Sequence, residues 1–218
     1  MKKLTYISDL DLILACRVYL YKSFYLLFSK ALDTDDISFL TSNEFKKTFE
    51  IAENIYNNID YYNFVINLAN NFGNSQFKNR LQKEYTELMI GPHKLVAPPW
   101  ESVYRKKENV IFTEYTLQVR SEYQKYNLLP KEYPHVSDDH IMFELNYMLY
   151  LAGLLCEDEK DVNVIGDSLL FLENHLLQWI NLYANQLNES ESIYIKQIAW
   201  HLSSFLIADK KFLQQYFS

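Results

Sequence analysis

Apolar residues recur at every third or fourth position along most of this chain, which is the spacing that places side chains on one face of an α-helix. A long first helix is predicted by the apolar positions Leu10, Leu14, Val18, Tyr21, Tyr25 and Phe28. Two more long helices are predicted toward the other end, with apolar positions at Ile165, Leu169, Leu172, Leu176, Ile180, Tyr183 and Leu187 and at Tyr194, Ile198, Leu202, Phe205, Phe212 and Tyr216. The pattern therefore indicates a largely helical protein.

Shorter segments with the same repeat predict further helices near residues 43–58, 61–72, 75–90, 113–127 and 138–157. Ser42, Asn43 and Ser75 are suited to helix starts, because their side-chain oxygens accept hydrogen bonds from first-turn amides. Asn127 is suited to a left-handed helix end. No alternating segment is long enough to found a sheet. The sequence predicts an all-α fold, a single-domain multi-helix bundle over residues 1–218.

Two irregular stretches interrupt the helical pattern. The longer one, residues 91–111, contains the motif GPHKLVAPPWESVY from Gly91 to Tyr104. The second, residues 128–137, reads LLPKEYPHVS and contains Pro130 and Pro134. Proline lacks an amide hydrogen and biases the residue before it toward extended geometry. Both stretches are therefore expected to be defined loops, and the first is expected to be a long internal loop.

Composition narrows the classes of partner and compartment. The 218 residues are 49% hydrophobic, which supplies a full core, and the net charge is −7 with scattered Lys and Arg residues. Because a nucleic-acid backbone requires a basic surface, we expect no nucleic-acid partner. Cys16 and Cys156 form no Cys-x-x-Cys motif, which favours a reduced compartment.

The chain shows no convincing membrane segment in its sequence. Asp9 and Asp11 interrupt the apolar run near the start, and no small-residue cleavage site follows. The longest uncharged apolar stretch, Tyr147 to Cys156, is about half of the roughly 20 residues that a spanning helix needs. We expect a soluble cytoplasmic protein without stable membrane insertion.

The two loops carry the first candidate binding residues. Pro98 and Pro99 hold the chain extended and so fix the direction in which Trp100 projects, which suits an apolar platform for a peptide. The alternative is that Trp100 fills the interior of the bundle. After the second loop, Ser137 or Asp138 can cap the next helix.

Asp139 and His140 are then expected in the first turn of that helix. Asp139 is suited to accept hydrogen bonds from an arginine guanidinium, and His140 to donate or accept nearby. The alternative is ordinary helix capping with a solvated histidine.

Catalytic and metal-binding motifs are absent from the sequence. His140 and Glu144 are four residues apart and form at most half of a metal site, and no metal-binding spacing involves the remaining histidines, His93, His135, His175 and His201. His175 and His201 are expected to be structural, at the edge of the core. There is neither a Gly-x-Ser-x-Gly motif nor a Gly-x-x-x-x-Gly-Lys phosphate loop. We therefore expect no catalytic residue, no metal and no cofactor.

Five motifs follow one another in an order that is informative: EYTELMIGP (Glu84 to Pro92), APPWESVY, TLQVRSEYQKYNL (Thr116 to Leu128), DDHIMFEL and FLENHLLQWI (Phe171 to Ile180). Together they resemble the TorD/DmsD family of cytoplasmic chaperones for redox enzymes, and DmsD-like members in particular. The chain departs from the family at Met89, where Phe is frequent, at Tyr85, where some members have Trp, and at Asn127, where Gly is usual.

The resemblance implies a chaperone, and not an enzyme, that binds the twin-arginine signal peptide of a molybdopterin or iron–sulfur oxidoreductase. It would hold the apo form of the catalytic subunit until cofactor insertion and folding are complete. By position, the family's signal-peptide-binding residues carry over to Tyr85, Leu88, Met89, Pro99, Trp100, Asp139 and His140.

Two other functions stay open at this point. One is a helical adaptor that binds the mature part of an apoenzyme, and the other is a guanine-nucleotide-linked switch, which the missing phosphate loop disfavours. A homodimer is also compatible with the sequence, because all-α proteins of this kind can swap helices.

Overall fold

The computed structural model of the protein describes residues 9–91, 94–106, 111–130, 135–159 and 161–217. Its helices are α1 (Asp9–Ser29), α2 (Thr34–Leu40), α3 (Asn43–Tyr56), α4 (Ile59–Asn71), α5 (Ser75–Tyr85), α6 (Glu101–Arg105), α7 (Glu114–Lys125), α8 (Ile141–Glu157), α9 (Val162–Phe171), α10 (Leu177–Gln186) and α11 (Ile195–Tyr216). A π-helical turn, Thr86–Ile90, continues α5, and a second one, Leu172–Leu176, joins α9 to α10. A short 3-10 turn, Leu187–Glu189, follows α10.

The all-α prediction is confirmed. Within the ranges given above, the extended backbone forms no strand and pairs only in an isolated antiparallel bridge between Trp100 and His140. Each helix that the apolar repeat predicted is present within a few residues of its expected bounds. Two short helices, α2 and α6, were not predicted, and α6 lies inside the stretch that was expected to be a loop.

The helix ends follow the capping chemistry in most places. Ser42 caps α3 by accepting a hydrogen bond from the amide of Phe45 at 3.1 Å, as predicted. The prediction of Ser75 is wrong by one residue, because the side chain of Asn74 accepts the first-turn amides of α5. Asn127 has a φ of 55° just after α7, which confirms its predicted left-handed geometry. Pro134 and His93 lie outside the described residues.

The first helix forms the centre of the hydrophobic core. Helix α1 packs most extensively against α8 and also contacts α3 and α11. Its inward side chains are fully buried and include Leu20, Tyr21, Phe24, Leu27 and Phe28. Helix α1 is long and apolar enough to span a membrane, but 56% of its most apolar stretch is buried inside the protein. The core helix of a soluble protein can have the same length and composition. The single-domain organisation of residues 1–218 stays a prediction.

A buried ion pair connects the first and last helices. Arg17 on α1 and Asp209 on α11 are both fully buried, and Arg17 Nε donates to the two carboxylate oxygens of Asp209 at 2.8 and 3.0 Å. The hydroxyls of Tyr21 and Tyr56 donate to the same carboxylate at 2.6 and 3.1 Å. Four hydrogen bonds thus join α1, α3 and α11 at one side chain.

Candidate functional site

The proline-rich loop is attached to the start of α8 by backbone hydrogen bonds. The amide of Glu101 donates to the carbonyl of Asp139 at 3.0 Å, and the amide of Ile141 donates to the carbonyl of Pro99 at 3.0 Å. These bonds flank the bridge between Trp100 and His140. Four of the seven predicted site residues therefore lie together, on a loop whose geometry is fixed by its neighbours and by its prolines.

Asp139 was expected in the first turn of α8, but it lies just before the helix begins at Ile141. Its side chain is fully buried. One carboxylate oxygen accepts from the amide of Ser102 at 2.8 Å, and the other accepts from the hydroxyls of Thr116, at 3.0 Å, and Ser137. Because both oxygens are occupied by the chain itself, Asp139 connects α6, α7 and α8 in this conformation, and an arginine from outside does not reach it.

His140 is the residue that caps α8. Its Nδ1 accepts the amide of Met142 at 3.2 Å, so the predicted caps Ser137 and Asp138 are wrong. The alternative of a solvated histidine is also wrong, because His140 is buried edge-on against Trp100, with ring centroids 5.0 Å apart. Burial lowers the pKa of His140 to about 4, although the neighbouring Asp139 acts to raise it. The ring is neutral at pH 7, with its proton on Nε2.

Trp100 itself is half-buried. Its indole Nε1 is covered and has no hydrogen-bond partner among the described residues. Leaving a buried donor unpaired costs about 1–3 kcal/mol. The indole is therefore partly exposed, but its Nε1 does not reach the solvent in this conformation.

The other three predicted residues, Tyr85, Leu88 and Met89, lie at the end of α5 and in its π-helical turn. All three are buried, whereas the neighbouring Ile90 is 68% exposed. At the end of the turn, the amide of Gly91 donates a hydrogen bond to the carbonyl of Thr86 at 2.8 Å. Gly91 has a φ of 87°, a left-handed geometry that favours glycine.

The carboxylate of Glu84 holds the end of α5 in place. It accepts from the amide of Tyr194 at 3.0 Å and from the hydroxyl of Ser192 at 2.9 Å, just before α11. The sequence does not predict this role for Glu84, because its partners are more than 100 residues away in the chain.

The two groups of predicted residues meet on α10. The hydroxyl of Tyr183 donates to the sulfur of Met89 at 3.5 Å, and the ring of Tyr183 lies 6.1 Å from that of Tyr104, one turn after Trp100. Gln186 donates to the carbonyl of Val96 at 2.7 Å and so fixes the beginning of the loop. Helix α10 therefore contacts both the end of α5 and the proline-rich loop.

Buried acidic residues lie beneath this surface and were not predicted as part of it. Glu101 is fully buried and accepts from Arg105 at 2.5 Å, while its other oxygen lies 2.8 Å from Nδ1 of His175. His175 is thus a structural histidine, as predicted. The only signal for this cluster in the sequence was the i, i+4 spacing of Glu101 and Arg105.

Glu144, which the sequence analysis considered as half of a metal site with His140, bonds to the indole of Trp179 at 3.1 Å instead. Burial first, and the nearby Glu101 next, raise the pKa of Glu144 well above its ordinary value, which favours the neutral form of the group. In the part of the chain that the structure describes, no three potential metal-ligating side chains form a cluster.

Residues 57–185 match the family model described as nitrate reductase delta subunit. Curated relatives include the "Probable Tat proofreading chaperone DmsD" of Haemophilus influenzae, 31% identical over 115 residues, and the "Chaperone protein TorD" of Aliivibrio salmonicida, 23% identical over 137 residues. The chain belongs to the TorD/DmsD family of redox-enzyme maturation chaperones. The resemblance seen in the sequence is thereby confirmed, and the relatives are named as chaperones and not as enzymes.

The matches to TorD/DmsD relatives are partial. They cover 53% of this chain and 52% of the Haemophilus relative, and 61% of this chain and 64% of the Aliivibrio relative. The chain thus spans about half the length of the first of these relatives. A solved structure from Archaeoglobus fulgidus that is named for redox enzyme maturation is similar over 98% of this chain and 99% of its own, at 22% identity and a TM-score of 0.47.

The region that matches the family model contains all seven predicted site residues. In this TorD/DmsD-family chain, Trp100 is the partly exposed member of the seven, and the other six are buried. Their role in binding stays a prediction.

Proposed function

We propose that this protein is a cytoplasmic chaperone that binds the twin-arginine signal peptide of a molybdopterin or iron–sulfur oxidoreductase. It holds the apo form of the catalytic subunit until cofactor insertion and folding are complete, and only then releases it for export. Family membership supports this proposal, as does the name of the Haemophilus relative, a Tat proofreading chaperone.

The observation that carries the proposal is the attachment of the loop to α8. The amide of Glu101 donates to the carbonyl of Asp139 and the amide of Ile141 donates to the carbonyl of Pro99, on either side of the bridge between Trp100 and His140. The indole is therefore oriented before any ligand arrives. A preorganised surface loses less conformational entropy on binding than a mobile one does.

The burial of the other residues suggests a division of roles. Trp100, together with the exposed Ile90 and Val96, would contact the apolar part of the signal peptide. The buried helix-end residues Tyr85, Leu88 and Met89 would shape the floor below it. Pro99, Asp139 and His140 would keep the loop in position, the last two from the start of α8.

Isothermal titration calorimetry tests the proposal. The purified protein is titrated with a synthetic twin-arginine leader of a molybdoenzyme from the same organism, and with the same leader after both arginines are changed to alanine. We expect binding at micromolar concentration or tighter, equivalent to about 8 kcal/mol or more, and weaker binding of the altered leader. Absence of binding to the intact leader, with binding to the leaderless apoenzyme, would favour an adaptor instead.

Matched variants locate the site. Trp100→Ala is expected to weaken binding at least tenfold, and Asp139→Asn to weaken it through a displaced loop. Trp200→Ala is the control, because Trp200 is an indole on α11 that is 40% exposed, in a separate cleft against α3 and α4. Each variant is first checked for unchanged helical circular dichroism. Equal affinities of the Trp100 and Trp200 variants would place the peptide elsewhere.

A further inference from the structure

A second carboxylate at the start of α8, that of Asp138, differs from its neighbours in how it is paired. One oxygen accepts from Arg120 Nε at 2.5 Å, and the other is buried without a hydrogen-bond partner in the described parts of the chain. The side chain of Asp138 is 1% exposed, whereas that of Arg120, on α7, is 30% exposed. The hydroxyl of Tyr123 donates to the backbone carbonyl of Asp138 at 3.0 Å and fixes its position.

The other acidic groups of the region are less suited to meet an incoming arginine. Both oxygens of Asp139 are occupied by hydrogen bonds, and those of Glu101 by Arg105 and His175. Glu144 also has one unpaired oxygen, but its side chain is fully buried and its other oxygen accepts from the fully buried Trp179. Asp138 combines an unused oxygen with a partner that reaches the surface.

The surface next to this ion pair is a cleft of about 550 Å³. Arg120 lines it together with Lys106, Phe112 and Leu117, among others. Phe112 and Leu117 are 61% and 59% exposed, which is high for large apolar side chains. Lys106 is paired with Glu114 at 2.5 Å, so the second cation of the cleft is already neutralised.

We propose that Asp138 is the arginine-binding residue of the signal-peptide site and that Arg120 occupies it until the ligand arrives. This inference rests on the proposed function. A guanidinium of the leader takes the place of Arg120, and the apolar residues beside it lie on Phe112 and Leu117. The exchange replaces one cation by another, so the buried carboxylate is never left without a counter-ion.

The exchange accounts for a preference for arginine over lysine. A guanidinium can form two parallel hydrogen bonds with a carboxylate, and Asp138 offers a second, unused oxygen for this geometry. An ammonium group makes a single point contact. Arg120 is 30% exposed and therefore already reaches the solvent into which it is displaced.

Arg120→Gln tests the exchange, because it removes the resident guanidinium. Titrations compare the wild-type protein and this variant with leaders that carry two arginines, two lysines or two alanines. We expect the variant to bind the arginine leader about tenfold more tightly than the wild type does, with a smaller gain for lysine and none for alanine. Its melting temperature without ligand is lowered, and the arginine leader raises it more than it raises that of the wild type.

Lys106→Gln is the matched control, since it removes one positive charge from the same cleft without touching Asp138. An equal gain in both variants would show a general charge effect and overturn the inference.

Arg120→Lys keeps the charge, so it serves if the glutamine variant fails to fold, and we expect a smaller gain in affinity for the arginine leader. If the wild type binds the arginine leader and no Arg120 variant binds it more tightly than Lys106→Gln does, the exchange is wrong and the proposed function stands. If the wild type binds no leader, both are wrong.

Discussion

Replacing Asp209 by asparagine should destabilise the protein strongly, because this carboxylate is the buried counter-ion of Arg17. Both side chains are fully buried, and two tyrosine hydroxyls donate to the same group. Two nitrogens of the guanidinium, Nη1 and Nη2, have no hydrogen-bond partner in the described structure, and Asp209 is the carboxylate that compensates the charge of Arg17. An asparagine of the same size keeps the packing but leaves a buried cation.

The expected loss follows from measured cases of the same kind. Removing one partner of a buried ion pair lowers the free energy of unfolding by about 3–5 kcal/mol. For a chain of this length each kcal/mol lowers the melting temperature by about 2–4 °C. We therefore expect Asp209→Asn to melt about 6–20 °C below the wild type. Urea unfolding followed by circular dichroism at 222 nm, and calorimetry, measure both quantities.

Glu87→Gln is the matched control for this change from carboxylate to amide. Glu87 pairs with Lys83 at 3.7 Å on the surface, and the two side chains are 57% and 73% exposed. Such a pair contributes at most about 0.5 kcal/mol. A loss below about 1 kcal/mol in Asp209→Asn, similar to that of the control, would refute the view that the buried pair depends on this charge.

Two further predictions concern the loop and its flanking turn. His140 is buried, and its pKa in the folded protein is lowered to about 4, so the folded state resists protonation of this ring. The stability that the neutral ring contributes is present above the unfolded pKa near 6.5. As pH falls from there toward 4, the free energy of unfolding decreases by about 3 kcal/mol. Urea titrations at several pH values should show this loss in the wild type and not in His140→Gln, and parallel curves for the two proteins would contradict it. Gly91→Ala should destabilise the π-helical turn by about 1–3 kcal/mol, because a φ of 87° with a ψ of 171° strains any residue with a Cβ. Gly153→Ala, in α8, where a Cβ meets no atom within 4 Å, should raise the melting temperature slightly, and a similar loss in both variants would contradict the assignment of strain.

The helices were predictable because a repeat over ten or more residues averages out local exceptions. Helices α2 and α6 have seven and five residues, too few to show the repeat. A capping signal for α2 was nevertheless present, since Asp33 and Asp36 form a reciprocal capping box.

The positions of the site residues were predictable only in part. Motif order placed Trp100 and His140 in the same region, and the structure brings them into contact. Burial was not predictable, because the state of Asp139 depends on Ser102 and Thr116, which are 37 and 23 residues away in the chain. The pairing of Asp138 with Arg120 was likewise not predictable, because it depends on how α7 and the start of α8 lie relative to each other.

The link between Arg17 and Asp209 also bears on how the chaperone is made. The two residues are separated by 192 positions, so at about 5–20 residues per second the ribosome needs about 10–40 s to supply the second after the first. During that interval the guanidinium on the nascent first helix has no counter-ion and favours staying in water. The nascent chain therefore does not close its core around α1 until residue 209 has been translated.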